Sequence, residues 1–89
     1  MDFEYDRQKS EANKAKHGID FEEAQALWQD AALIEVPARA MDEPRWLAIA
    51  KWAGQHWSAV FTRRSERIRL ISVRRARDEE VKIYEGDEV

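Results

Sequence analysis

The sequence predicts an α+β domain: a helical hairpin first, then a roughly four-stranded antiparallel sheet, then a short closing helix. Three observations carry this. Phe21, Ala24, Leu27 and Trp28 recur at helical spacing within the first thirty residues. From Ala32 to Arg75 the apolar residues alternate instead, and the alternation is broken by short polar or glycine-containing segments. Val81 and Tyr84 then restore a helical pair. At 89 residues a single domain, 1–89, is expected, burying roughly 60–68% of the unfolded chain's surface. Connections this short favour helices segregated from a sheet of sequential strands.

Each element has a local reason. Phe3 to Tyr5 reads as a short edge strand. Asp6 is placed to cap a polar helix running to Lys16, with Gly18 where a left-handed residue ends it. Ala12 and Ala15 are that helix's only apolar candidates, which places it on the surface. Asp20 and Glu23 have capping-box spacing at the start of a second helix, and Gly18-Ile19 joins the two into an αα-hairpin.

Ala32, Ile34 and Val36 then read as a strand, Ala38 to Pro44 as a loop, and Arg45–Ala53, His56–Thr62 and Arg67–Arg75 as three further strands. A type II′ turn at Gly54-Gln55 would set Trp52 opposite Trp57, Ala50 opposite Ala59 and Ala48 opposite Phe61. A two-residue turn at Arg64-Ser65 would set Phe61 against Ile68, Ala59 against Leu70 and Trp57 against Ser72. One face then joins large rings to small alanines, leaving room for helices. The other mixes Leu47, Ile49, Val60, Ile71 and Val73 with Arg45, Lys51, Arg67, Arg69 and Arg75. A bulge in the second turn would exchange the faces of the last strand. Asp78 to Glu85 forms the closing helix, followed by an acidic tail.

Charge is unevenly placed. The formal net charge is −3, yet seven of the fifteen residues from Arg63 to Arg77 are arginine and only Glu66 is acidic. That stretch carries +6, and the remaining chain carries 8 basic against 17 acidic residues. Such asymmetry points to a local anion-binding surface. Three readings stay open at this stage: a nucleic-acid backbone, an acidic protein partner, or arginines solvated and paired with local acids.

Several classes are excluded by composition. Cysteine is absent, so there is no disulfide framework and no cysteine zinc site. The acidic opening residues do not read as a secretory signal, and no apolar run approaches the ~20 residues of a membrane span. A cytoplasmic domain is expected. The two histidines have no carboxylates at metal-ligand spacing, so neither metal nor cofactor is expected.

His17 can transfer protons near neutral pH, or simply complement the end of its helix. His56 reads as a surface residue beside a turn. Trp28, Trp52 and Trp57 read as core, and Trp46, beside Arg45, is the one candidate base-stacking platform. No phosphate loop, nucleophile elbow or dinucleotide fingerprint is present.

The residues also resemble a family. Phe3-Glu4-Tyr5-Asp6, Lys9, Asn13, Lys16-His17-Gly18-Ile19, Phe21, Glu23 and Ala24 resemble the opening signature of the BrnT toxins. Arg45-Trp46-Leu47-Ala48-Ile49 is similar to that family's central strand. Phe61-Thr62, Ile68-Arg69-Leu70-Ile71-Ser72, Arg74-Arg75-Ala76, Glu80 and Tyr84 resemble its last strand and closing helix.

The resemblance implies a RelE-like ribonuclease toxin of a type II toxin–antitoxin pair that inhibits translation by cutting RNA, on the ribosome or free of it. Its partner would be a BrnA-type ribbon-helix-helix antitoxin, two toxins to an antitoxin dimer, with operator DNA bound only through the antitoxin. Joined to the charge reading, this nominates His17, Arg69 and Arg74 for catalysis and Lys16, Arg45, Arg67 and Arg75 for phosphate binding. Glu80, Tyr84 and Lys16 are weaker candidates for proton transfer. The competing reading is a binding module whose arginines only dock an acidic protein.

Overall fold

Asp6 opens the first helix as its position predicts: its carboxylate accepts from the backbone N–H groups of Gln8 (2.8 Å) and Lys9 (3.2 Å). In the computed structural model, which describes residues 1–39 and 43–86, this helix is α1 (Arg7–His17), and it ends at Gly18 with φ 82°. Asp20 and Glu23 form the expected reciprocal capping box and start α2 (Phe21–Ala24). One α-turn is all that follows before the chain tightens into a 3₁₀ helix, Gln25–Gln29.

Five strands make the sheet: β1 (Asp2–Glu4), β2 (Ile34–Ala38), β3 (Arg45–Trp52), β4 (Gln55–Arg64) and β5 (Arg67–Arg75). Their order is β1-β5-β4-β3-β2. The expected four-stranded antiparallel sheet is thus corrected to a five-stranded mixed one. β1 pairs in parallel with β5, Phe3 against Ile68, because the helices separate it from the meander and return the chain on the far side. The closing helix, α3 (Asp78–Glu85), spans the predicted residues. Of the predicted 38–44 loop, Ala38 belongs to β2, and Ala40, Met41 and Asp42 lie outside the described residues, as does the acidic tail 87–89.

Both turn registers differ from the expectation. Ala53 and Gly54 take the positive φ values (54° and 76°), and Trp52 pairs with Gln55. Two successive positive φ values mark a type I′ turn, whose twist suits a hairpin. The pairing therefore slips by two residues to Ala50–Trp57, Ala48–Ala59 and Trp46–Phe61. A two-residue slip preserves which face each side chain occupies. Trp52 and Trp57 become diagonal neighbours, 6.4 Å apart and tilted by 54°.

The second turn is Ser65-Glu66, and the pairing jumps from Phe61–Leu70 to Val60–Ser72. Ile71 is the extra residue. The bulge lies within the strand rather than at the turn, so only the second half of β5 changes phase. Val73 and Arg75 move to the helix side, and Ser72 and Arg74 to the other, reversing the expected sides of Val73, Arg75 and Ser72.

The helix side holds the core. Ile19, Phe21, Ala24 and Leu27 pack with Ala48, Ala50, Trp57, Ala59, Phe61, Ile68, Leu70 and Val73. Ala48, Ala50 and Ala59 are fully buried, which is the space for helices that the alternation of rings and alanines predicts. Phe21, Leu27 and Phe61 are also fully buried, each contributing about 2–3 kcal/mol.

α1 packs differently from the expectation. Ala12 and Ala15 are exposed, whereas Ser10 and Asn13 are buried. Asn13 bonds both backbone groups of Val73: its Oδ1 accepts from the Val73 N–H (3.1 Å) and its Nδ2 donates to the Val73 carbonyl (2.9 Å). The same Nδ2 donates to the Ile19 carbonyl at 2.8 Å. β1 covers only Arg67 to Arg69 of the β5 edge. Asn13 occupies a later position on that edge and satisfies it as a neighbouring strand would. Ser10 Oγ accepts from the Phe21 N–H (2.9 Å) and ties the two helices together.

Asn13→Leu should therefore cost about 2–4 kcal/mol, since it strands three buried backbone groups. Ala12→Leu, on the exposed side, should change stability by less than about 0.5 kcal/mol. Urea unfolding of the two variants checks both values.

Candidate functional site

The sheet face away from the core is only partly covered. α3 lies over one end of it, held at three points. Glu80, 7% exposed, is the first. Its Oε1 accepts from Arg74 Nη1, Ser58 Oγ and the Arg77 N–H, each at 2.8 Å, and its Oε2 accepts from Arg74 Nη2 at 2.9 Å. Asp30 is the second: its Oδ2 accepts from the Tyr84 hydroxyl (2.7 Å) and the Lys51 N–H (2.8 Å). The third is His56 Nε2, 2.7 Å from Glu85, with its ring edge-to-face against Tyr84.

These contacts set the local charge states. The Arg74 guanidinium, against the opposing effect of burial, holds the Glu80 carboxyl at about 2, aided by the Arg77 N–H and Ser58 hydroxyl. Burial raises the Asp30 carboxyl, but bonds from Tyr84, Lys51 and Ala32 outweigh it and leave it lowered. Asp30 and burial together push the Tyr84 phenol up to about 12. Glu80 and Tyr84, both weaker candidates for proton transfer, are therefore poorly matched to it near neutral pH.

Beyond α3 the face is half open. Val36, Leu47, Val60 and Ile71 are each half-buried there. A polar row borders them at the far end: Arg45 opposite Ala38, Thr62 opposite Arg69, and Arg69 opposite Glu4. One strand separates Arg45 from Arg69, about 10 Å across the sheet. The buried Nε of Arg45 has no hydrogen-bond partner among the described residues. Arg69 reaches Glu4 only at 3.4 Å, with a third of its side chain exposed.

The arginine-rich stretch is dispersed in space. Arg63 forks onto Glu35 (2.9 and 2.7 Å) and covers the Phe61 and Trp46 rings on the core side, at 5.2 and 6.0 Å. Trp46, the candidate stacking platform, is accordingly packed against the core beneath an arginine. Arg64 meets Glu43 at 3.5 Å, and Arg67 meets Glu4 at 3.6 Å. Arg75 projects over Trp57 at 5.7 Å on the helix side. Glu4, Glu35, Glu43 and Glu80 lower the +6 of the stretch to a local +2. Pairing with local acids thus accounts for much of the cluster.

Of the residues nominated from sequence, Arg45, Arg67, Arg69 and Arg74 share the half-open face. His17, Lys16 and Arg75 do not. His17 is half-buried and Lys16 exposed at the end of α1, on the helix side of the sheet. The fold therefore separates His17 from Arg69 and Arg74. It brings His56 and Glu85 together instead, a pair twenty-nine residues apart with no linear spacing to reveal it. Among the described residues no group of histidines, aspartates and glutamates could hold a metal ion. No helix among them is long and apolar enough to cross a membrane.

A family model described as a ribonuclease toxin, BrnT, of a type II toxin–antitoxin system matches residues 5–80. The chain belongs to the BrnT family. No curated protein matches it. The BrnT match takes in Asn13, the arginines of the half-open face and Glu80, and it stops before Tyr84 and Glu85. Membership makes the chain a ribonuclease toxin with an antitoxin as its partner.

Proposed function

We propose that the half-open sheet face binds single-stranded RNA and that the chain cuts it as a RelE-like endoribonuclease without a metal ion, inhibiting translation in the cytoplasm. The observation that carries this is the row Arg45–Thr62–Arg69 beside a half-buried apolar trough, with the Arg45 Nε–H sheltered and unpaired among the described residues. Phosphate oxygens suit the forked, always-charged guanidinium groups of such a row. The ribosome-bound and free forms of RNA are both compatible with this face.

Cleavage in this scheme uses the RNA's own 2′-OH. A base takes its proton, the oxygen forms a bond to the adjacent phosphorus, and the bond to the 5′ oxygen breaks as an acid protonates it. The products are a 2′,3′-cyclic phosphate and a 5′-hydroxyl. Arg45, Arg67 and Arg69 bind the RNA backbone along the row, about 20 Å along the strand from His56. Arg74, beside His56 on the same face, is the arginine nearest the cleaved phosphate while it also holds α3 through Glu80.

Proton transfer is assigned to His56, because it stands two residues along β4 from the Ser58–Arg74 pair on the same face and is held by Glu85. The second reading is His17 with Lys16 and Arg75, on the helix side. His56→Ala should lower single-turnover cleavage about 100-fold, while the loss of its Glu85 and Tyr84 contacts lowers stability by only about 1 kcal/mol. His17→Ala is the paired variant, and a larger loss there would move the chemistry to the helix side.

The antitoxin is proposed to be a BrnA-type ribbon-helix-helix protein, two toxins on one antitoxin dimer, that covers the arginine face and contacts operator DNA itself. Mixing the two proteins and measuring mass by light scattering tests that stoichiometry.

A further inference from the structure

At the end of the sheet that α3 covers, an open pocket of about 450 Å³ lies between the 3₁₀ helix, the β3–β4 turn and Tyr84. Nothing in the scheme above uses it. Its volume falls in the range of small-molecule sites, roughly 300–1,000 Å³. We propose that this pocket holds a nucleobase of the RNA flanking the cleaved bond, an inference that rests on RNA being the substrate.

The walls argue for a flat, neutral, hydrogen-bonding ring. Trp52 and Tyr84 are the aromatic lining residues, and Ala26 and Ala53 leave space beside them. Trp52 is half-buried, diagonal to Trp57, and contributes to the pocket wall. Gln29 is exposed and brings an amide that both donates and accepts, as a base edge requires. Lys51 is exposed and lies near Asp30, so the pocket's formal charges cancel. A phosphate would find no net positive site here, whereas base–aromatic stacking does not depend on charge.

Asp30 cannot serve as a free acceptor for the ligand's main contacts. Its two oxygens already take the Tyr84 hydroxyl and the N–H groups of Lys51 and Ala32. Its role is to fix the walls: it holds Tyr84 on α3 and the β3 backbone beside Trp52 in one arrangement. Ala53 holds a left-handed φ of 54° at the turn. A small side chain there keeps the entrance open, where a larger one would narrow it.

The position relative to the arginine face also fits. Lys51 and His56 pair across β3 and β4, two residues beyond the Ser58–Arg74 pair, or about 7 Å along the strand. The pocket therefore adjoins the proposed cleavage face, at the end where His56 stands.

Photo-crosslinking of the intact chain with 4-thiouridine 5′-monophosphate tests the assignment. The expected adducts fall on peptides containing Trp52 or Tyr84. Uridine should compete for them, and inorganic phosphate at equal ionic strength should not. Ala26→Leu, which fills the pocket, should reduce the adduct at least tenfold, and Gln29→Ala, an exposed change that should fold, should reduce it severalfold.

Adducts elsewhere, competition by phosphate as effective as by uridine, or undiminished adducts in both variants would overturn the proposal. Arg45→Gln/Arg69→Gln separates it from the cleavage reading, since that variant should lose RNA cutting and keep the adduct. An adduct formed by a chain that cuts no RNA would retain the base pocket and reject the cleavage.

Discussion

Arg45→Gln combined with Arg69→Gln should reduce RNA cleavage at subsaturating RNA by at least about 100-fold, the scale of losing two charge-assisted contacts to the RNA backbone. Growth arrest on induction should be lost with it. Both side chains lie on the half-open face, and neither anchors a helix. Arg69's carboxylate contact is long, 3.4 Å to Glu4, and the Arg45 Nε has no partner among the described residues. Unfolding should therefore shift little, by less than about 1 kcal/mol. Arg64→Gln with Arg63→Gln is the comparison, because those arginines serve Glu43 and Glu35 instead. An equal loss of cleavage there would mean that bulk charge rather than the Arg45–Arg69 row binds RNA.

The second large effect concerns stability. The Arg74 guanidinium holds the Glu80 carboxyl at about 2 in the folded chain, below the 4.5 of an unperturbed glutamate. A depressed folded value means that the contribution is fully present above about pH 4.5 and is lost as pH falls through about 2, amounting to about 3 kcal/mol. Arg74→Ala leaves this carboxylate nearly buried without its main partner and should cost about 3–5 kcal/mol. Glu80→Gln should cost about 2–4 kcal/mol at pH 7, and the gap from the unsubstituted chain should close towards pH 2. Denaturant unfolding at both pH values reads this directly. A gap of constant size would show that the charge on Glu80 does not hold α3.

The fold divides the arginine-rich stretch along a line that the linear sequence does not draw. From composition the seven arginines look like one surface, but three-dimensional pairing assigns them separate work. Arg63 covers core rings, Arg74 anchors α3, Arg75 lies over Trp57 on the other side, and Arg69 stays half open. The acids responsible come from Glu4, Glu35, Glu43 and Glu80, all outside the stretch. Charge counting over a window cannot register partners supplied by other strands.

Local chemistry was legible where it is self-contained. The Asp6 cap, the Asp20–Glu23 capping box and the extent of α3 follow from neighbouring residues alone. The bulge at Ile71 had a visible mark as well. Apolar residues alternate through Ile68 and Leu70, then break phase at Ile71 and resume at Val73, while the arginines change phase between Arg69 and Arg74. Asn13 was harder to read. A buried asparagine breaks the apolar stripe expected of a packed helix, and its value comes from the Val73 backbone, sixty residues away. The parallel β1–β5 pairing and the His56–Glu85 contact depend on the whole fold in the same way.

The most direct test of the central claim is which face RNA touches. Backbone and arginine side-chain NMR shifts can be followed as a 2′-O-methyl oligonucleotide is added, since it lacks the attacking hydroxyl and stays whole. Shifts are expected at Arg45, Thr62, Arg69, Ser72 and Arg74, with helix α1 unmoved. Shifts confined to Lys16, His17 and Arg75 would contradict it and place the RNA on the helix side of the sheet.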